Sequence, residues 1–318
     1  MKRLSLSVIS VGMAAVGTAW AGQPVPKSYA ENLRRSPVEQ VCRASEGLIA
    51  AQKEGGWSWQ RGDAREAPSI SGVVAAALAA TSARCDATAA VVRYAEAAIV
   101  RHQKGEFLYD PDVEALVGAA DLTGDPRYRE VAKEAFDRRY AGASGEEIVE
   151  RWFMLKRDRR LIGYDAASAI RAALAVGERE KAEDIAAAAV KSGGRWVEGW
   201  DPRGFLTTSR GALLEALSRL GTRRFAGFQK DLADHLILTQ GSDGSWEGRN
   251  TQATAFAVRG LNAYGSEAAL TSAQLGARWL RLTQLQDGSW ATFNDLLPEP
   301  FVGEVVHEVT AEVVLALR

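Results

Sequence analysis

A recurring segment constrains the fold of this 318-residue chain more than any other feature. Its form is Leu-x-x-x-Gln, a short gap, and then Gly-x-Trp or Gly-Trp. The three copies are residues 48–52 with Gly56 and Trp57, 236–240 with Gly244 and Trp246, and 280–284 with Gly288 and Trp290. Weaker copies end at Phe107 and Trp196, so the steps between the aromatic positions are 50, 89, 50 and 44 residues. Self-similarity at a near-constant period is typical of repeat proteins, and these steps predict six units.

Each unit is predicted to contain one inner and one outer helix. The predicted inner helices open with polar capping residues, continue rich in Ala, Leu and Val, and cover 69–82, 110–124, 164–177, 207–221, 250–265 and 307–318. The predicted outer helices are amphipathic and cover about 37–52, 87–103, 126–140, 178–191, 223–240 and 266–284. Such pairs bury a continuous core only by stacking on their neighbours. Six pairs without a polar capping pair at either end predict closure into an all-α ring, an α/α toroid.

Alignment of the predicted inner helices predicts how closely they approach each other. It places six residues in register: Ser71, Glu114, Ala167, Arg210, Thr254 and Thr310. The next residue is small in every copy: Gly72, Ala115, Ser168, Gly211, Ala255 and Ala311. Small side chains at one level of the ring predict close contact between neighbouring inner helices.

The first 21 residues have the form of a secretory signal peptide. Lys2 and Arg3 precede a largely apolar run, and Ala19-Trp20-Ala21 is a small-x-small cleavage signal. We expect residues 22–36 to be an N-terminal linker, residues 37–318 to form a single toroid domain, and the protein to be a periplasmic or secreted monomer. No later segment reaches the ~18 consecutive apolar residues of a membrane helix. The net charge of −1 lacks the basic excess of nucleic-acid-binding proteins.

Cys42 and Cys85 are the two cysteines of the chain. An even count in an oxidising compartment permits one disulfide, and their separation of about one repeat would place both on neighbouring outer helices. Two buried free thiols are the alternative. Neither cysteine belongs to a Cys-x-x-Cys or a histidine cluster, so no metal site is predicted.

The Gln-to-Trp segments resemble the QW repeats of the squalene–hopene cyclase and protein prenyltransferase superfamily, most specifically at residues 240–246 and 284–290. The resemblance covers about residues 37–318 and implies that superfamily's α/α toroid. It also implies a structural role for Trp57, Trp246 and Trp290. In the family the Gln caps a helix end and stacks on the Trp, which ties the outer helices together.

The catalytic motifs of that superfamily do not carry over. The nearest match to the Asp-x-Asp-Asp motif of class II cyclases is Asp110-Pro-Asp112-Val-Glu114, which lacks the adjacent aspartates. The Asp-Asp-x-x-Asp magnesium motif and the Cys-Gly-Glu-Gln of thioester toroids are absent from the sequence. Neither cysteine falls on a predicted inner helix, where a prenyltransferase zinc site would need it. We therefore expect neither terpenoid cyclase nor prenyltransferase activity.

A second resemblance is to the family 10 pectate lyases, which act outside the cell on a similar architecture. Residues 64–72, Ala-Arg-Glu-Ala-Pro-Ser-Ile-Ser-Gly, are similar to a segment of those enzymes. A lyase would need an arginine or lysine base and acidic residues for calcium. Arg65, Arg210, Asp110 and Asp112 are of the right types, and helix capping and surface pairing are their alternative roles.

The central cavity is the expected place for a site, and the turns that lead into the inner helices would line its mouth. The polar residues at those helix starts are Ser69, Ser71, Asp110, Asp112, Glu114, Tyr164, Asp165, Thr208, Arg210, Asn250, Thr251, Thr254, His307 and Glu308. The catalytic candidates are Asp110, Asp112, Arg210, His307 and Glu308. The ligand-binding candidates are Trp152, Phe153, Tyr164, Asp165, Asn250, Thr254 and Phe293. No cofactor is assigned.

Two classes of function fit these features. The first is an exported toroid that binds or acts on an extracytoplasmic small molecule, glycan or peptide in its central cavity, with a pectate-lyase-like polysaccharide lyase as one form. The second is a non-catalytic module that presents its loops to a protein partner. A buried cluster of carboxylates with Arg210 would favour an enzyme, whereas a lumen plugged by Leu and Ala would favour the module.

Two units are about ten residues longer than the others, as the spacing of their inner helices shows. The extra residues lie in 142–161 and 291–305, just before the inner helices of units three and six. Because these units face each other in a ring of six, the insertions are predicted to form a clamp over the mouth. Their aromatic residues are Trp152, Phe153, Phe293 and Phe301. The alternative is that these residues only pack the insertions onto the ring.

Overall fold

The computed structural model describes residues 27–155, 161–193, 206–291 and 305–318. Within these ranges the chain forms fourteen α-helices, one short 3-10 turn and two isolated β-bridges. The inner helices are α3 (Pro68–Cys85), α5 (Asp110–Thr123), α8 (Ile162–Ala175), α10 (Leu206–Leu220), α12 (Thr251–Tyr264) and α14 (His307–Leu317). The outer helices are α2 (Pro37–Ala51), α4 (Thr88–Gln103), α6 (Pro126–Tyr140), α9 (Arg179–Lys191), α11 (Ala226–Leu238) and α13 (Glu267–Thr283). The two further helices are α1 (Lys27–Arg34) and α7 (Gly145–Leu155).

The inner helices form a closed ring. In chain order α3 packs on α5, α5 on α8, α8 on α10, α10 on α12 and α12 on α14, and α14 packs back on α3. The outer helices pack against this ring from outside. The predicted all-α toroid is therefore confirmed. Its core is built from small residues, and a Cβ on Gly211 would overlap the backbone of Phe256 on the next inner helix, as the predicted close approach requires.

The predicted helices are present with small shifts at their ends. Four inner helices end just before a glycine with positive φ, a conformation that glycine adopts without steric cost; these are Gly124, Gly177, Gly221 and Gly265. The outer helix predicted at 223–240 begins with a 3-10 turn, Arg223–Phe225, before α11. The sequence pattern did not predict α1, which lies in the expected linker, or α7, which lies in the first insertion.

The tryptophans of the three Gln-to-Trp segments are at most 1% exposed. Each indole Nε1 donates to a carbonyl of the preceding outer helix, and the acceptors are Leu48 at 2.7 Å, Leu236 at 2.7 Å and Leu280 at 2.6 Å. Each tryptophan backbone N–H donates to a hydroxyl of the following inner helix, on Ser71 at 2.9 Å, Thr254 at 3.1 Å and Thr310 at 3.3 Å. The register position is therefore a hydroxyl residue in the three units with a complete Gln-to-Trp segment, and Glu, Ala or Arg in the other units.

The glutamine of each segment joins two outer helices. Gln52 Nε2 donates to the carbonyl of Ala90 on α4 at 2.9 Å, and Gln240 Nε2 donates to that of Ser272 on α13 at 2.9 Å. Gln284 Nε2 donates to the carbonyl of Gln40 on α2 at 2.8 Å, which links the last outer helix to the first. The three acceptor carbonyls lie in the first two turns of their helices, so each glutamine adds a second hydrogen bond to a carbonyl and joins neighbouring outer helices.

The weaker copy in the second unit behaves differently. Phe107 is 53% exposed, so it does not fill the place that Trp57 and Trp246 occupy in their units. The neighbouring Leu108 is buried there instead. Trp196 lies outside the described residues.

Cys42 and Cys85 form a disulfide with a Cα–Cα distance of 4.9 Å. Cys42 lies on the outer helix α2, but Cys85 is the last residue of the inner helix α3. The prediction that both cysteines lie on outer helices is therefore wrong, because α3 continues three residues beyond its predicted end at Ser82. The disulfide joins the two helices of the first unit.

None of the described helices is long and apolar enough to cross a bilayer. The predicted signal peptide, residues 1–21, lies outside the described residues.

Candidate functional site

Charged side chains from several inner helices meet inside the ring. Arg171 of α8 donates through Nε to Glu114 of α5 at 3.1 Å, and Arg259 Nη2 of α12 lies 2.7 Å from Glu215 Oε2 of α10. Arg171, Glu215 and Arg259 are largely buried. The lumen thus contains buried ion pairs, but their arginines are Arg171 and Arg259, so the cluster of carboxylates with Arg210 that would favour an enzyme is not formed.

Two glutamates one helical turn apart on α14 form what we call the lumen carboxyl pair, Glu308 and Glu312. Glu312 is fully buried and accepts from Gln252 Nε2 of α12 at 3.2 Å, whereas Glu308 is half-buried at the helix start. Burial raises the pKa of Glu308 to about 7. Burial also raises the pKa of Glu312, and the charge of Glu308 adds to that increase. The pair therefore retains a proton at neutral pH, as a general acid must.

Tyr164 and Asp165 begin the facing inner helix, α8. Tyr164 packs edge-on against Phe256 of α12, with ring centroids 5.6 Å apart. Burial raises the pKa of Tyr164, and the charges of Glu308 and Glu312 raise it further. Asp165 is half-buried beside it. The structure thus brings Tyr164 within electrostatic range of Glu308, whereas the charge of Asp165 acts on Tyr164, Asp110 and Arg139.

Asp110 and Asp112 occupy the start of α5, but as buried, bonded side chains. Asp112 is 0% exposed and accepts hydrogen bonds from the hydroxyl of Tyr94 and, at 2.7 Å, from the backbone N–H of Tyr109. Asp110 is 4% exposed and accepts from the hydroxyl of Tyr140 at 2.9 Å. Their hydrogen bonds are those of helix capping and packing. Helix capping is the role that the sequence analysis gave as the alternative to catalysis.

A pH-dependent effect on stability follows from Asp110. Burial raises its pKa to about 6, although Arg139 and the Tyr140 hydroxyl oppose this. A raised carboxyl pKa stabilises the folded state at low pH, and that stability is lost as the pH rises through about 6. Between pH 4 and pH 7 the free energy of unfolding of the wild type should fall by ~2–3 kcal/mol relative to that of Asp110→Asn, as measured by urea unfolding. The exposed Asp231→Asn serves as control, and a constant difference between Asp110→Asn and wild type would contradict the prediction.

Arg210 and His307 do not join the lumen carboxyl pair. Arg210 Nη1 donates to His235 Nε2 of the outer helix α11 at 2.6 Å. His307 is buried, its Nδ1 lies 2.8 Å from the carbonyl of Ser58, and its backbone N–H donates to the carbonyl of Trp59 at 3.1 Å. Burial lowers the pKa of His307, so the neutral ring donates to Ser58 and ties unit six to unit one.

Asn250 and Thr254 shape the start of α12. The side chain of Asn250 caps the helix by accepting from the backbone N–H of Ala253 at 3.0 Å. Thr254 donates to the carbonyl of Asn250 at 2.7 Å and accepts from Trp246, as described above. Both side chains are thus buried in the scaffold rather than presented to a ligand.

The first insertion contains α7, which packs on α9. Trp152 and Phe153 are buried on this helix, as the alternative of packing the insertion onto the ring requires, and their contact with a ligand stays a prediction. Met154 and Leu155 are exposed at the end of α7. Phe293 and Phe301 of the second insertion lie outside the described residues.

Within the described ranges, no group of three or more His, Cys, Asp or Glu side chains is arranged to hold a metal ion. Sequence reasoning missed five lumen residues: Arg171, Glu215, Gln252, Arg259 and Glu312. A signal was available for them, since each is a polar residue inside an otherwise apolar inner helix. Such positions require partners, because an unpaired buried charge is costly.

No family model matches the chain, and no curated protein is similar to it in sequence. Solved structures do share its fold. The unsaturated glucuronyl hydrolase specific for heparin superposes with a TM-score of 0.67 at 11% identity, covering 88% of this chain and 95% of that one. The α-1,6-mannanase from Salegentibacter gives 0.59 at 13% identity over 89% and 98% of the two chains. The type II terpene cyclase MstE from Scytonema gives 0.62 at 17% identity over 88% and 97%. At these identities the likeness supports an α/α-toroid fold for this chain.

Proposed function

We propose that this protein is an exported enzyme that cleaves a glycosidic bond at the N-terminal mouth of its ring. The observation that carries the proposal is the lumen carboxyl pair, where Glu308 and Glu312 meet Tyr164 and Gln252 inside a protein ring. Glycoside cleavage needs one carboxyl that holds a proton and a second that is ionised. Burial favours the proton-holding role for Glu308, and its half-buried position leaves it within reach of a ligand.

In the proposed reaction, Glu308 protonates the oxygen of the departing sugar. Asp165 of the facing helix is the proposed second carboxylate, which either attacks the anomeric carbon or removes a proton from an attacking water. Burial holds the proton on Glu308, and the charge that Glu308 carries when it ionises raises the pKa of Glu312 rather than the reverse. Two of the structural neighbours are named as a glucuronyl hydrolase and a mannanase, which supports saccharides as the substrate class.

A charged lumen argues against the alternative of prenyl cyclisation. A cyclase must hold a long apolar chain, and the ion pairs of Arg171 with Glu114 and of Arg259 with Glu215 interrupt the apolar surface inside this ring. Lyase chemistry would need a basic residue at the sugar, and Arg210 is bonded to His235. Both remain outcomes of the experiment below.

The test is an activity screen on purified protein with three saccharides: heparin-derived unsaturated glucuronyl disaccharide, α-1,6-mannan and polygalacturonate, each with and without calcium. New reducing ends indicate hydrolysis, and a new double bond absorbing ultraviolet light indicates elimination. Geranylgeranyl dihydroxybenzoate, analysed for cyclised product, tests the cyclase alternative. Binding of a saccharide without turnover would favour the non-catalytic module.

For the hydrolysed saccharide, Glu308→Gln should reduce kcat/KM by ~10²–10⁴-fold, the usual contribution of a general acid. Asp165→Asn should cause a comparable loss. The matched control is Glu267→Gln, which changes an exposed glutamate at the start of the outer helix α13. Full activity in Glu308→Gln, or no hydrolysis of any saccharide, would overturn the proposal.

A further inference from the structure

A cavity that we call the C-terminal cavity lies inside the ring. Its volume is about 580 Å³, and it is lined by residues of all six inner helices, mostly from their C-terminal halves. Neither Glu308 nor Asp165 is among its lining residues. The volume lies within the ~300–1,000 Å³ typical of small-molecule sites.

The walls of this C-terminal cavity are apolar. They are formed by small and aliphatic side chains from four helices: Ala76, Ala79, Val117, Leu122, Leu174 and Leu315. Such a surface gains free energy when it excludes water against an apolar ligand. A highly charged or sugar-like molecule would leave these walls unmatched.

The polar part of the lining has an excess of positive charge. Four arginines line the cavity, Arg171, Arg219, Arg259 and Arg318. Glu114 pairs with Arg171, and Glu215, just behind the lining, pairs with both Arg219 and Arg259. The remaining acidic residue of the lining, Asp121, pairs with Arg129 of the outer helix α6. Four guanidinium groups thus share two carboxylates.

Two of these arginines have buried donors without acceptors. Arg171 Nη1 and Arg259 Nε make no hydrogen bond to any described residue, and both side chains are only 7% exposed. Glu312 lies close enough for its charge to interact with both, but burial raises the pKa of this carboxyl, which weakens it as a partner for the two guanidinium groups. A buried guanidinium donor without an acceptor costs free energy unless a ligand supplies one.

Helix capping accounts for only part of this arrangement. The C-terminal ends of the inner helices carry partial negative charge, which nearby cations offset within the last turn. Arg219 and Arg318 are placed for that role. Arg171 and Arg259 lie four and five residues before the ends of their helices, beyond the last turn.

We propose that the C-terminal cavity binds an amphipathic monocarboxylate, with its carboxylate among Arg171, Arg259 and Arg318 and its aliphatic body against the Ala, Val and Leu walls. Arginine suits this role because its planar donors match the geometry of a carboxylate. The site goes beyond the proposed glycosidase activity and does not depend on it.

The test is isothermal titration calorimetry of the full protein with octanoate, compared with 1-octanol and octylammonium as neutral and cationic probes of the same length. Octanoate should bind at least tenfold more tightly than either. Arg318→Gln should weaken octanoate binding by at least fivefold, and Ala76→Phe, which fills the cavity, should abolish it. The matched control Arg278→Gln changes an exposed arginine of α13 and should bind like the wild type.

Absence of octanoate binding, or equal binding of the three probes, would overturn this proposal. So would unchanged octanoate binding in both Arg318→Gln and Ala76→Phe when the two proteins melt like the wild type. Glu308→Gln should keep its affinity for octanoate, so a failure of the glycosidase proposal and a failure of this site are seen in different measurements.

Discussion

Replacing Trp246 by alanine is expected to lower the free energy of unfolding by ~3–5 kcal/mol, the usual cost of removing a large buried aromatic side chain. The indole is 1% exposed, and its Nε1 donates to the carbonyl of Leu236 at 2.7 Å. Truncation would leave a cavity between α11 and α12 and remove the partner of that carbonyl. Because the segment also joins neighbouring outer helices through Gln240, the damage should extend beyond one contact.

Thermal and urea unfolding measure this effect, with a fall in melting temperature on the order of 10 °C. The matched control is Trp59→Ala, which removes the same side chain from a 37% exposed position near the first unit's segment. Trp59→Ala should change stability far less. If Trp246→Ala melts like the wild type and loses ligand binding instead, the structural role of these tryptophans is wrong.

Replacing Glu215 by alanine is also expected to cost ~3–5 kcal/mol, because it leaves Arg259 buried without its carboxylate. The two side chains are 4% and 6% exposed, and their charged atoms are 2.7 Å apart. Burial alone would raise the pKa of Glu215, but the charges of Arg259, Arg171 and Arg219 outweigh burial and lower it to about 2. The stability that Glu215 contributes is therefore present above its ordinary pKa of 4.5 and is lost as the pH falls toward 2.

Urea unfolding at pH 7 and at pH 3 tests this prediction. The destabilisation by Glu215→Ala should be large at pH 7 and smaller at pH 3, where the wild type has begun to lose the same interaction. The exposed Glu267→Ala is the matched control and should remain near the wild type. The double variant Glu215→Leu with Arg259→Met should recover much of the loss, because it leaves no fully buried charge unpaired; Arg219, which also pairs with Glu215, is 39% exposed and remains hydrated. A small loss in Glu215→Ala at pH 7 would contradict the prediction.

Part of the candidate site could be predicted from the sequence, and part could not. Glu308, Tyr164 and Asp165 could be found from the sequence because polar residues at the start of an inner helix must lie at the mouth of a ring. The same reasoning also selected Asn250 and Thr254, whose hydrogen bonds serve the helix start and the tryptophan turn. A polar residue at a helix start can cap or bind, and only its neighbours in space distinguish the two roles. The burial of Trp152 and Phe153 could not be predicted, because the packing of α7 on α9 is not visible in the local pattern.

The sequence by itself determined the order of the helices, because hydrophobic periodicity is a property of neighbouring residues in one helix. The repeated Gln-to-Trp segments also predicted the pairing of the helices into six units and the closure of the ring. Only the tertiary structure decided which charges meet inside the ring. Arg171 donates a hydrogen bond to Glu114, which is 57 residues away in the sequence, and Gln252 donates one to Glu312, which is 60 residues away. These pairs form because closing the ring brings the inner helices side by side, and the free-energy cost of burying each charge then selects the nearest opposite charge or hydrogen-bond partner.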